Sequence, residues 1–148
     1  IRGSVRRADL DGLHAGLGFR LGLVDGPALD VGDALVQAGV ACDRPQGGFY
    51  LFPDFTALAD RLRARGITGG ELLCERLLEE TGVAILPGSD FGRPQGDWTA
   101  RLAYVDFDGE RALAEHTRDA TIDEAWLRRV TPRVTTAIDR MCDWLVRE

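Results

Sequence analysis

The 148 residues, 45% hydrophobic and 28% charged, suit a single soluble domain that buries its own core, and no window approaches the roughly 18 uninterrupted apolar residues of a membrane-spanning helix. A formal charge of −6, with acids scattered among the arginines, excludes nucleic acid as an expected partner, because phosphate binding needs a concentrated basic surface. Cys42, Cys74 and Cys142 are widely spaced and form no C-x-x-C pair, so neither a disulfide framework nor a metal site is expected, and a reducing cytoplasm is the default location.

All 18 basic residues are arginine; with no lysine, the chain has no side-chain amine to bond a carbonyl group covalently. It starts at Ile1 rather than Met, which suggests a processed, trimmed or partial chain. Ile1–Arg20 has charges and glycines where a secretory signal would be apolar. Residues 1–28 are rich in Gly and Arg and keep no clear period, so no regular structure is assigned there. Residues 29–148 are the readable domain.

From Asp30 to Gly39, Val31, Ala34, Leu35 and Ala38 fall at helical spacing, and Gly39 suits the residue just past a helix end. Gly48–Phe55, GFYLFPDF, predicts a buried strand ending near Pro53. Thr56 then caps a helix over Ala57–Arg65 that stops at Gly66. Gly70–Thr81 predicts an amphipathic helix carrying Leu72, Leu73, Leu77 and Leu78 and closed by Gly82. Val83–Leu86 is the second strand, ended by Pro87 and Gly88, and Thr99–Phe107 is the third. Towards the end, Thr121 and Glu124 read as a capping box. Ile122, Trp126, Val130, Val134, Ile138, Met141 and Leu145 step along one helical face, which Pro132 kinks or splits. That stripe reads as core. The expected class is α/β, more closely an α+β small domain: a three- to four-stranded sheet with helices on one face and a long C-terminal helix. The tetrapeptide RPQG at Arg44–Gly47 and Arg93–Gly96 has different flanks in its two copies and reads as coincidence.

Side chains that carry catalysis are mostly missing. His14, near Asp9 and Asp11, and His116 read as ordinary surface residues rather than metal ligands. Ser89 lies outside any G-x-S-x-G elbow, and the cysteines read as inert core residues. The glycines of LPGSDFGRPQGD indicate a sharp turn or a close approach to a ligand, but the loop matches neither a P-loop nor a dinucleotide fingerprint. Arg101 differs from the other arginines. It enters the apolar strand TARLAYVDF, where an unpaired guanidinium is costly to bury, so it should reach solvent, an acid or a bound anion.

The order of these segments resembles the C-terminal small domain of class I/II, fold-type I, pyridoxal-phosphate-dependent aminotransferases. The residues that carry the resemblance are Pro45, Gly47, Phe49 and Tyr50, then Gly82, Val83, Pro87, Gly88, Phe91 and Gly92, then Arg101 and Leu102, within about Ala34–Phe107. The resemblance implies that Arg101 binds the substrate α-carboxylate, that Phe49 and Tyr50 sit beside that pocket, and that Pro87, Gly88, Phe91 and Gly92 form its supporting loop. It implies pyridoxal 5'-phosphate as cofactor, an amino acid and 2-oxo acid as substrates, and a homodimer in the complete enzyme. The cofactor-attaching lysine would lie in a large domain that is missing here or supplied by a partner chain. No catalytic residue is expected in this chain, which alone is expected to be inactive. Other chemistry on the same cofactor (decarboxylation, oxidation or elimination) and a noncatalytic lysine-free binding or assembly module are the alternatives.

Overall fold

A computed structural model describes residues 31–43, 49–115 and 123–147. Outside the described residues lie the N-terminal segment with His14, Asp9 and Asp11, the first RPQG copy with Pro45 and Gly47, His116, and the Thr121 and Ile122 positions.

Helix α1, Val31–Gln37, buries Val31 and Leu35 and ends before Gly39, as its spacing predicts. Strand β1 is shorter than expected, only Tyr50–Leu51, because Pro53 has no N–H to extend the ladder. The extended course resumes at Asp54, which bridges to both Ala41 and Thr99. Thr56 does not cap the next helix. The Asp54 carboxylate instead accepts from the Thr56 N–H at 2.8 Å, and a 3-10 turn over Thr56–Leu58 leads into α2, Ala59–Ala64. Helix α3 occupies the predicted span, Gly70–Thr81, and Gly82 closes it at φ 75. Its buried stripe is Gly70, Leu73, Cys74 and Leu77, whereas Leu78 is 50% exposed, so the face is turned from the four-leucine reading.

Strand β2 is Leu86–Pro87, shifted from the expected Val83–Leu86 so that Pro87 lies within it, and β3 is Ala100–Ala103, shorter than the expected Thr99–Phe107. The sheet is antiparallel throughout, in the order β1-β3-β2, with β3 central. Helix α4, Gly109–Glu115, has no counterpart in the sequence reading; Asp108 starts it by accepting from the Arg111 N–H at 3.0 Å. Pro132 splits the last helical run into α5, Glu124–Val130, and α6, Pro132–Val146, with Pro132 at the start of the second. Asp123 caps α5, accepting from the Trp126 N–H at 2.8 Å, which moves the start two residues past the expected Thr121. From Trp126 onward the predicted stripe is buried throughout.

Both α1 and α3 pack on α6, and α3 also packs on β2. Along β3, Ala100 and Leu102 point into this layer and are buried, while Arg101 and Ala103 alternate to the other face. On that outer face Tyr50, Phe52, Leu86 and Val105 are 40–45% exposed. Among the described residues, helices therefore cover one side of the sheet and none covers the other, where Arg101 lies.

Candidate functional site

Arg101 stands opposite Leu86 in the β2–β3 pairing, half-buried on the open face. Its guanidinium carbon lies 4.0 Å from the centroid of the Phe91 ring and 4.4 Å from that of Tyr50. Two aromatic contacts hold the planar cation against the sheet while its N–H edges keep their donors. Among the described residues the Arg101 guanidinium has no ion pair and no hydrogen bond. Most of the other described arginines are engaged: Arg63 with Asp60, Arg128 with Glu124 and Asp139, Arg129 with Glu115, and Arg133 with Asp106. A positioned guanidinium with free donors and an aromatic setting suits a bidentate carboxylate.

The loop that brings Phe91 to Arg101 is built by close packing. Strand β2 runs into a 3-10 turn over Gly88–Phe91, closed by Gly92 at φ 84. Gly88 donates its N–H to the Thr99 carbonyl at 2.8 Å, continuing the ladder past Pro87. A Cβ on Gly88 would collide with Thr99 Oγ1 and lie 3.1 Å from the Thr99 carbonyl oxygen, so only glycine fits this approach. The turn over Pro94–Asp97 then docks on the start of α3. Gly70 donates to the Asp97 carbonyl at 2.9 Å, and the Gly96 N–H points to Glu71 at 3.4 Å. The Ser89 hydroxyl first, and main-chain N–H groups second, hold the Glu71 carboxyl below its ordinary value.

The predicted site residues are therefore brought together in part. Tyr50, Phe91 and Arg101 form one contact group, with Pro87, Gly88 and Gly92 shaping the loop beneath it. Phe49 packs on Tyr50 at 4.6 Å between centroids, one ring away from the guanidinium. Two residues of this surface had not been singled out. Phe52 meets Phe91 edge-on at 6.2 Å, and Arg93 lies 6.0 Å over Phe52 while pairing with Asp97 at 3.5 Å. Period-two alternation from Tyr50 to Phe52 was the available signal for the first; nothing local marked the second.

Cys74 is buried, and that burial first, then the Glu71 and Asp90 charges, push its thiol up to about 12; the Cys142 thiol is pushed up to about 11. Neither is poised as a nucleophile. Among the described residues no group of three or more His, Cys, Asp or Glu side chains is placed to hold a metal ion, and no helix is long and apolar enough to cross a membrane.

No protein-family model matches the chain. Part of it aligns with aminotransferases. A mitochondrial alanine aminotransferase of Saccharomyces cerevisiae is 38% identical over 71 residues, 45% of this chain and 12% of that protein. A probable aspartate/prephenate aminotransferase of Aquifex aeolicus is 47% identical over 57 residues, 38% of this chain and 13% of its own length. The crystal structure of an aminotransferase from Mycobacterium tuberculosis shares the fold over 78% of this chain and 22% of its own, with a TM-score of 0.50 and 22% identity. The chain thus matches a small part of pyridoxal-phosphate-dependent aminotransferases of fold type I, with the architecture of their α+β small domain.

Proposed function

We propose that residues 29–148 are the C-terminal small-domain portion of a pyridoxal-phosphate-dependent aminotransferase acting on an amino acid and its 2-oxo acid, with Arg101 binding the substrate α-carboxylate. The observation that carries this reading is the Arg101 guanidinium, stacked on Tyr50 and Phe91 with no anionic partner among the described residues. Its fork pairs with a carboxylate through two parallel hydrogen bonds, which fixes the direction of the bond to the α-carbon and so presents the amino group to one place. Phe91 and Tyr50 exclude water from one part of the guanidinium and limit its rotamers. Strand β3 and the Gly88–Phe91 turn keep both in register.

The cofactor, when bound in the complete enzyme, withdraws electrons from the substrate α-carbon. This chain does not fit the cofactor's covalent attachment, since it has no lysine. Its residues hold the carboxylate end of the substrate, and the remainder of the site comes from a large domain, joined or separate. By itself the chain is inactive. The complete enzyme is read as a cytoplasmic homodimer; the yeast relative is mitochondrial by name, so cell fractionation is the test of location.

The intact mass of the native protein, with the coding sequence upstream of Ile1, tests the assignment. A lysine-bearing pyridoxal-phosphate domain, in the same chain or in a co-purifying one, is the expected result. A native protein of 16.2 kDa that purifies without such a domain and without the cofactor would overturn it.

A further inference from the structure

The β2–β3 ladder stops early, and the place where it stops is open. Gly88 bonds to Thr99 and Leu86 stands opposite Arg101, so the two-residue repeat makes Ala84 and Ala103 the next partners. The other edge of β3 belongs to β1: Ala100 donates to Pro53 at 3.1 Å and Tyr104 to Phe49 at 3.3 Å. Ala103 therefore turns its main-chain N–H and C=O away from β1 and toward Ala84. No backbone hydrogen bond joins the two.

The splayed strands line a cavity of about 250 Å3 whose walls are apolar: Val83 and Ile85 on one side, Leu102 on the other, and Val134 and Ile138 of α6. That is below the usual range of ligand pockets, roughly 300–1,000 Å3, and suits only a small molecule. A shallower basin of about 390 Å3 continues outward past Arg133 and Arg140. This mouth holds two guanidinium groups and one carboxylate, Asp106. Arg133 pairs with Asp106 at 3.0 Å, and both side chains are 69% exposed. Such a pair contributes about 0–1 kcal/mol, so a competing carboxylate displaces Asp106 at little cost.

Apolar walls and a cationic mouth together define an occupant. We propose that this cavity binds a small monocarboxylic acid with an aliphatic or aromatic body. The body lies between Val83, Leu102 and Ile138, and the carboxylate sits at Arg133. The exposed Ala103 and Ala84 main-chain groups lie at the ladder's end, where they are open to hydrogen bonds from a ligand or water. The site is separate from Arg101, whose guanidinium does not line it, and it stands whether or not the aminotransferase reading holds.

Phenylacetate is the probe, titrated into the 15N-labelled full chain, with acetate and benzyl alcohol as controls lacking the body and the charge. The expected result is saturable shifts of the Ala84, Ala103 and Ile138 amides below about 10 mM phenylacetate, weaker for either control. Arg133→Gln, a surface change, raises the apparent Kd about tenfold, the loss expected when a charged hydrogen-bond partner goes. Ala137→Trp, which fills the cavity from α6, abolishes the shifts, while Arg101→Ala leaves them intact. Absence of saturable shifts, shifts indifferent to Arg133→Gln, or shifts lost in Arg101→Ala would each overturn the proposal. Should Ala137→Trp fail to fold, the Arg133→Gln and Arg101→Ala pair decides alone.

Discussion

At the scale of single residues, Gly88 has no room for a side chain. A methyl group there meets Thr99, which cannot retreat because it is buried and its carbonyl oxygen accepts the Gly88 N–H. Gly88→Ala should therefore lower unfolding stability by about 1–3 kcal/mol, read from urea midpoints at constant slope. A second expectation concerns Glu71, whose folded-state carboxyl titrates below its ordinary value near 4.5. A depressed carboxyl contributes stability above the unfolded value and loses it as pH falls through the folded one. Stability should thus drop as pH falls below the ordinary value near 4.5, and Glu71→Gln should shrink that drop; an unchanged drop would remove Glu71 as a cause. Arg101 was legible in the sequence because a charged residue entering an apolar strand has few places to go. Its ring partners were legible only singly. That Phe91 and Tyr50 meet the same guanidinium depends on a turn and a strand register that no local pattern encodes.

Among the elements, α3 and the α5–α6 break were readable, since a twelve-residue periodic run closed by Gly82 and a proline inside a helical stripe each have one physical outcome. The strands were read too long. Pro53 removes a ladder donor and shortens β1, whereas β2 lacks the expected Val83–Ile85 and takes in Pro87, with the ladder continuing to the Gly88–Thr99 bond. Helix α4 was missed because Asp108–Gly109 follows directly on an apolar run and hides the start of a new period. The cap of α5 belongs to Asp123 rather than Thr121, so Asp123→Ala should cost about 1 kcal/mol by thermal or urea unfolding. Docking of α6 rests on Trp144, which is fully buried: its indole N–H donates to Glu80 at 2.8 Å and the Arg65 guanidinium stacks on its ring at 4.1 Å. Arg65 also donates to the Trp144 carbonyl at 2.8 Å, tying α2 to the end of α6. Trp144→Ala should destabilise by about 3–5 kcal/mol, the range for deleting a large buried aromatic side chain.

At the largest scale, the described residues form a finished side and an open one. Helices close the core on one face of the sheet, while Phe49, Tyr50, Phe52, Leu86 and Phe91 stay 39–45% exposed around Arg101 on the other. The chain spans 12–14% of the length of the curated relatives it matches, and the open face is where the remainder of such an enzyme would meet it under the proposed function. The general architecture was legible from the order of elements; what covers the open face was not, because no residue of this chain does it among those described. The central claim is that Arg101 grips the substrate carboxylate, and steady-state kinetics of Arg101→Ala in the complete enzyme containing residues 29–148 test it most directly. The account predicts an amino-acid KM raised by about a hundredfold, the loss of two charge-assisted hydrogen bonds, with the cofactor still bound. A KM unchanged by that substitution would contradict it.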